Sequence, residues 1–66
     1  MQITLNGQQK DILDKSTVQE LLDGLKLKTE TVAVELNLEI VPKKEYHNRK
    51  ITPGDKIEII SFVGGG

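Results

Sequence analysis

The sequence contains no cysteine. No disulfide can staple the fold, no thiolate can hold zinc, and no thiol can act as a nucleophile. Aromatic residues are nearly absent too. One Tyr, one Phe and no Trp are too few to build a platform on which nucleic-acid bases stack. The single histidine, His47, follows Glu45 in a polar stretch. It reads as a surface residue, and no second ligand suggests a metal site. Neither charge sign dominates: nine Lys and Arg face ten Asp and Glu, interspersed, for a net charge of −1. That leaves no basic stripe for nucleic acid, and the doublets Lys43-Lys44 and Arg49-Lys50 read as solvated loop charge. No apolar run approaches the roughly 20 residues of a membrane helix. The N-terminus, Met1-Gln2-Ile3-Thr4-Leu5-Asn6-Gly7, has no signal-peptide pattern. The expectation is a soluble cytoplasmic protein, monomeric when free, with no membrane or nucleic-acid partner.

At 66 residues the chain makes one small domain. Such a chain buries only about 60% of its unfolded surface, which leaves no volume for an enclosed substrate cavity. Size therefore argues against a pocket enzyme, and the chain is read as serving other proteins rather than as a catalyst.

The elements follow from period and punctuation. Gln2 to Leu5 alternates polar and apolar, as a strand with one buried face does. Asn6-Gly7 tolerates positive φ at both positions and predicts a tight hairpin turn. Gln8 to Ile12 is the returning strand, polar enough for a sheet edge. Ser16 with Gln19, or Thr17 with Glu20, forms a capping box at a helix start. Val18, Leu21, Leu22 and Leu25 then make one apolar helical stripe, with Gly24 near the helix end. Val32 to Asn37 alternates again, with Val32, Val34 and Leu36 on one face and Ala33, Glu35 and Asn37 on the other. Leu38 to Val41 is a second short apolar piece, stopped by Pro42. Lys43 to Lys50 is a loop or a turn of helix. Pro53-Gly54-Asp55 is a turn, and Lys56 to Val63 is the best strand of the chain. A single apolar helix must bury its stripe on a sheet face. The fold class is therefore α+β, a small roll with the helix lying across a mixed sheet of four to five strands. Domain 1–63 is followed by a flexible glycine tail, 64–66.

The parity of the last strand bears on function. Ile57 and Ile59 point one way; Glu58, Ile60 and Phe62 point the other. With the first pair toward the helix, Ile60 and Phe62 lie on an outer face beside Ala33 and Glu35, with Gln2 and Thr4 from the first strand. Contiguous exposed apolar groups mark a partner site, and Phe62 is expected to be accessible unless residues 43–50 cover it. The partner face comprises Glu58, Ile60, Phe62 and Val63. Beyond it the sequence ends Gly64-Gly65-Gly66. Glycine has no Cβ and permits close backbone approach, so such an end suits threading into a foreign active site where the terminal carboxylate is activated. Ordering a flexible residue costs about 1–2 kcal/mol, which the outer face offsets by docking.

Taken together, the opening strand with Asn6-Gly7, Thr17-Val18-Gln19-Glu20-Leu21-Leu22, Val32 to Asn37, Ile40-Val41-Pro42, Pro53 to Ile59 and Phe62 to Gly66 resemble the ubiquitin-like β-grasp proteins. The nearest resemblance is to the sulfur carriers of thiamine biosynthesis, the ThiS family, over the whole chain. The resemblance implies that an E1-like adenylyltransferase of ThiF type uses ATP and Mg²⁺ to adenylate the Gly66 carboxylate, with Gly64 and Gly65 threading into it. It further implies that a sulfur donor enzyme supplies the sulfur of a Gly66 thiocarboxylate, which thiazole synthase of ThiG type consumes. No cofactor is bound by the chain itself. Gly64 lengthens the family's Gly-Gly by one residue. A molybdopterin-type sulfur carrier and a ubiquitin-like protein modifier are the alternative functions. Ile59 to Val63 has no proline, which favours the thiazole branch over the molybdopterin one.

Overall fold

In a computed structural model, residues 1–62 are described. The expectations for Val63 and the 64–66 tail lie outside the described residues, and so does the boundary drawn between them.

The order of elements is strand β1 (Gln2–Leu5), β2 (Gln8–Asp11), helix α1 (Val18–Gly24), β3 (Val32–Leu36), β4 (Glu39–Ile40) and β5 (Lys56–Ser61), with 3₁₀ turns at Thr29–Thr31 and Lys43–Glu45. The strands form one five-stranded mixed sheet in the order β2-β1-β5-β3-β4. β1 and β5 run parallel at its centre, while β1–β2, β3–β5 and β3–β4 are antiparallel. The first and last strands are therefore neighbours, with an antiparallel hairpin on either side.

Local chemistry accounts for the elements. Asn6 and Gly7 carry φ of 48° and 83°, the left-handed pair that a two-residue hairpin between twisted strands requires. Helix α1 is capped by the second of the two expected boxes. The Thr17 hydroxyl accepts from the Glu20 N–H at 3.1 Å, and the Glu20 carboxylate accepts from the Thr17 N–H at 2.9 Å. The Ser16 hydroxyl instead donates to the Leu13 carbonyl at 2.7 Å. Gly24 is the last helical residue, and Leu25 follows it as the cap.

The core is the alternation of the strands closed by the helix stripe. Ile3, Val32, Val34, Leu36 and Ile57 from the sheet meet Val18, Leu21 and Leu22 from α1, all nearly or fully buried. Three further core residues come from segments with no periodic signal. Val41, Tyr46 and Ile51 are each at most 2% exposed. The segment from Pro42 to Lys50 is thus a wall of the core, anchored by Tyr46. Its backbone is tied to α1 where Gln19 and Val18 donate to the Tyr46 and Arg49 carbonyls, both at 3.0 Å. Among the described residues no helix is long and apolar enough to cross a membrane.

Candidate functional site: the outer sheet face and the end of β5

Helix α1 covers one face of the sheet, and among the described residues no second layer covers the other. The register shows which side chains share that open face. Glu58 is opposite Glu35, and Ile60 is opposite Ala33, across β5 and β3. Ile40 is opposite Glu35 across β3 and β4. Thr4 is opposite Lys56 across β1 and β5. The period-2 alternation of each strand does the rest: Ile57 is buried, Ile59 is half-buried, and Glu58 and Ile60 are exposed.

Ile60 is 47% exposed and Phe62 64% exposed, as the strand parity expects. The segment 43–50 does not cover them, because Tyr46 fixes it on the opposite side, against the core. Ile40, 73% exposed, and Leu38, 84% exposed, add apolar surface to the β3–β4 end of the molecule. Sequence reasoning missed these two. The sequence carries little signal for them: Asn37-Leu38 is the two-residue turn that pairs Glu39 and Ile40 back onto β3, and leucine is not a residue such a turn favours. Leu38 occupies that turn with φ of 73°, a left-handed conformation in which a side chain costs about 1 kcal/mol or more.

The charges of the face are unbalanced. Glu35 and Glu58 are direct cross-strand neighbours, an arrangement of like charges that weakens a sheet by itself. Among the described residues neither takes part in a salt bridge; the ion pairs present are Met1–Asp14, Arg49–Glu39 and Arg49–Glu45. Lys56 is the cation on the same face, opposite Thr4. The surface therefore offers apolar groups around two adjacent carboxylates, which suits a partner presenting apolar side chains and a cation.

Beneath the site, two asparagines bind β5 from opposite ends and opposite sides. Asn37 donates its backbone N–H to the Lys56 carbonyl at 2.7 Å, and its side-chain oxygen accepts the Lys56 N–H at 2.9 Å. Its side-chain amide also donates to Asp55 at 3.0 Å. Burial raises the pKa of Asp55, but the Thr52 N–H, the Asn37 amide, the Thr52 hydroxyl and the nearby Arg49 charge outweigh it, so its carboxyl sits below the ordinary carboxylate value. At the other end Asn6 accepts the Ile59 N–H on its side-chain oxygen at 2.8 Å. On the β3 side the Phe62 N–H donates to the Thr31 carbonyl at 2.8 Å. The chain is thus held through β5 and on to Phe62, the last described residue, and Gly64-Gly65-Gly66 follow after Val63 in the sequence.

His47 is exposed in the 43–50 segment. Among the described residues no group of three or more His, Asp or Glu could hold a metal ion. A shallow groove between β2 and α1, bordered by Ile12, Leu13, Leu21 and Leu25, lies on the helix side of the sheet and away from the outer face.

Comparison with known proteins places the chain. The ThiS family model matches residues 3–66. The sulfur carrier protein ThiS of Bacillus subtilis is 43% identical over 67 residues, covering 97% of this chain and 98% of that protein. A thiazole synthase of Paramagnetospirillum magneticum is 44% identical over 66 residues. The match covers all of this chain and only 20% of that enzyme, so the chain spans about a fifth of its length. The crystal structure of the thiamine biosynthesis protein ThiS from Geobacter metallireducens superposes with a TM-score of 0.86 at 35% identity, over the whole of both chains. The five-stranded mixed sheet with its single crossing helix is accordingly the ubiquitin-like β-grasp, and the chain belongs to the ThiS family.

Proposed function

We propose that Gly66 is the reactive terminus of a sulfur carrier and that the outer sheet face docks the enzyme that loads it. Membership of the ThiS family makes the chain a small carrier protein rather than a catalyst, and its role is sulfur transfer in the biosynthesis of the thiazole moiety of thiamine. Loading takes place in two steps. A Gly66 carboxylate oxygen attacks the α-phosphorus of ATP, an acyl–phosphate bond forms, and pyrophosphate leaves with Mg²⁺ balancing its charge. Hydrosulfide supplied by a sulfur donor enzyme then attacks the carbonyl carbon. The C–S bond forms, the C–O bond to AMP breaks, and Gly66 carries a thiocarboxylate. The ATP and Mg²⁺ belong to an E1-like adenylyltransferase of ThiF type, and thiazole synthase of ThiG type receives the sulfur. Loading consumes ATP, and a cytoplasmic location fits that need.

One observation carries the reading. The family match runs on to Gly66, and the strand leading there leaves Ile60 and Phe62 exposed on a face that also presents Glu58 and Glu35. Ile60, Phe62, Val63 and Glu58 are the docking residues, and Gly64 and Gly65 thread the enzyme's channel because they carry no side chain. The absence of cysteine fits, since the sulfur rides on a main-chain carbonyl.

The test is intact mass spectrometry of the protein purified from its native host. The expected result is a fraction of molecules with the mass gain of an oxygen-to-sulfur exchange, located on Gly66. A variant with one alanine appended beyond Gly66 and not trimmed in the cell should fail to rescue a thiamine-requiring strain. Rescue by that variant defeats the proposal.

A further inference from the structure

The hydrogen-bond pattern around Asn6 points to a role that the carrier reading does not yet contain. β1 and β5 are parallel, and their ladder runs from the Thr4 N–H on the Asp55 carbonyl to the Asn6 N–H on the Ile57 carbonyl, both at 2.9 Å. In a parallel ladder the next rungs fall on the N–H and the carbonyl of Ile59. No strand residue is there to receive them, because Asn6 turns into the left-handed conformation with φ of 48° and the chain leaves as the hairpin. The Asn6 side chain replaces the missing strand. Its oxygen accepts the Ile59 N–H at 2.8 Å, and its NH₂ group lies 3.5 Å from the Ile59 carbonyl, a long contact. One amide thus stands in for a peptide unit, across 53 positions of sequence. Asn37 does part of this at Lys56, where β5 begins: its side-chain oxygen accepts the Lys56 N–H, while its backbone N–H donates to the Lys56 carbonyl.

The two clamps differ in what lies beyond them. Past Asn37 is the Pro53-Gly54-Asp55 turn. Past Asn6 are Ile60 to Phe62 and then the terminal glycines. On the β1 side, Ile59 is the last residue of β5 that a β1 or hairpin group holds. On the β3 side, the last tie is Phe62 to Thr31. Without the Asn6 amide, the end of β5 hangs from β3 alone and can pivot about that edge.

Resting on the carrier reading, we infer that Asn6 is a positioning residue for loading. By holding Ile59 on the β1 side it fixes the direction in which the chain leaves the sheet, so that docking of the outer face delivers Gly66 to the activating site. Asn6 does not itself touch ATP or the carboxylate. Its loss should leave docking intact and lower the rate of the bound complex.

The experiment is steady-state ATP–pyrophosphate exchange by a ThiF-type adenylyltransferase, with the carrier as varied substrate. Asn6→Gly is compared with the matched control Asn37→Gly. Glycine accepts the positive φ at both positions, so each variant loses side-chain hydrogen bonds without backbone strain. The expected result for Asn6→Gly is a fall in kcat of about tenfold with KM within about twofold of wild type, less than the roughly hundredfold that a 1 Å misplacement can cost. Asn37→Gly should keep both constants at a similar melting temperature. Asn6→Asp keeps an acceptor for the Ile59 N–H and should recover part of kcat. Amide exchange at Ile59 should quicken in Asn6→Gly only. Equal losses of kcat in the two glycine variants reduce Asn6 to a stability element and overturn the inference. A rise in KM with kcat unchanged does the same, and so does full activity of Asn6→Gly. If the wild-type protein is not adenylated at all, the carrier reading itself fails and this inference falls with it.

Discussion

Replacing Phe62 with alanine separates docking from folding. The ring is 64% exposed, so most of its apolar surface contributes nothing to the stability of the free protein. Full burial of such a side chain is worth about 1.5–3 kcal/mol. The exposed share, covered by a partner, therefore contributes roughly 1–2 kcal/mol to the complex, or about 5- to 25-fold in affinity. The share already buried is worth about 0.5–1 kcal/mol, and in a domain this small that lowers the melting temperature by at most about 8 °C. The assay is ATP–pyrophosphate exchange with the carrier as varied substrate, at a temperature where the variant is folded by circular dichroism. Phe62→Ala should raise KM by about 5- to 25-fold and leave kcat near wild type, because the interaction exists equally in the bound ground state and the transition state. A KM within twofold of wild type refutes the argument that the outer face docks the loading enzyme. A large loss of stability refutes the burial assignment.

Two further predictions concern the scaffold. Tyr46→Ala removes a side chain that is 1% exposed and should cost about 3–5 kcal/mol in urea denaturation, a large part of the total stability of a domain of this size; a loss below about 1 kcal/mol would show that segment 43–50 is not a wall of the core. Asp55 has a folded pKa below the ordinary carboxylate value. Its ionised form is therefore favoured by folding, and the stability it supplies is complete above that value and is lost as pH falls through the folded pKa. Asp55→Asn should accordingly flatten the acid limb of the stability–pH curve below about pH 4 while leaving the shape near neutrality alone, and an unchanged acid limb counts against the Thr52–Asp55–Asn37 network.

Much of the molecule was legible in local pattern. Asn6-Gly7 announced its hairpin because few residue pairs accept positive φ twice. Ser16-Thr17 announced the helix start because a capping box needs such groups at that spacing, while only the structure chose Thr17 with Glu20 over Ser16 with Gln19. Val32, Val34 and Leu36 announced a buried strand face through their period. Tyr46, Val41 and Ile51 gave no such notice. Each sits in an irregular segment where burial is set by what the chain happens to lie against, and no period records it. Leu38 was equally silent, since a leucine in a left-handed turn departs from the turn's own preference for glycine or asparagine.

Sequence alone determined the element types, the parity that turns Ile60 and Phe62 outward, the lack of any thiol chemistry, and the glycines toward which β5 leads. These are properties of neighbours in the chain, fixed by backbone sterics and by periods of two and 3.6 residues. Tertiary structure decided the rest: that β5 lies between β1 and β3, that Asn6 meets Ile59, that Glu35 faces Glu58, and that the segment carrying Tyr46 packs against the core and not over the outer face. Those are meetings between residues far apart in sequence. They exist only once the hydrophobic stripe of α1 has found its sheet face and brought the first and last strands side by side.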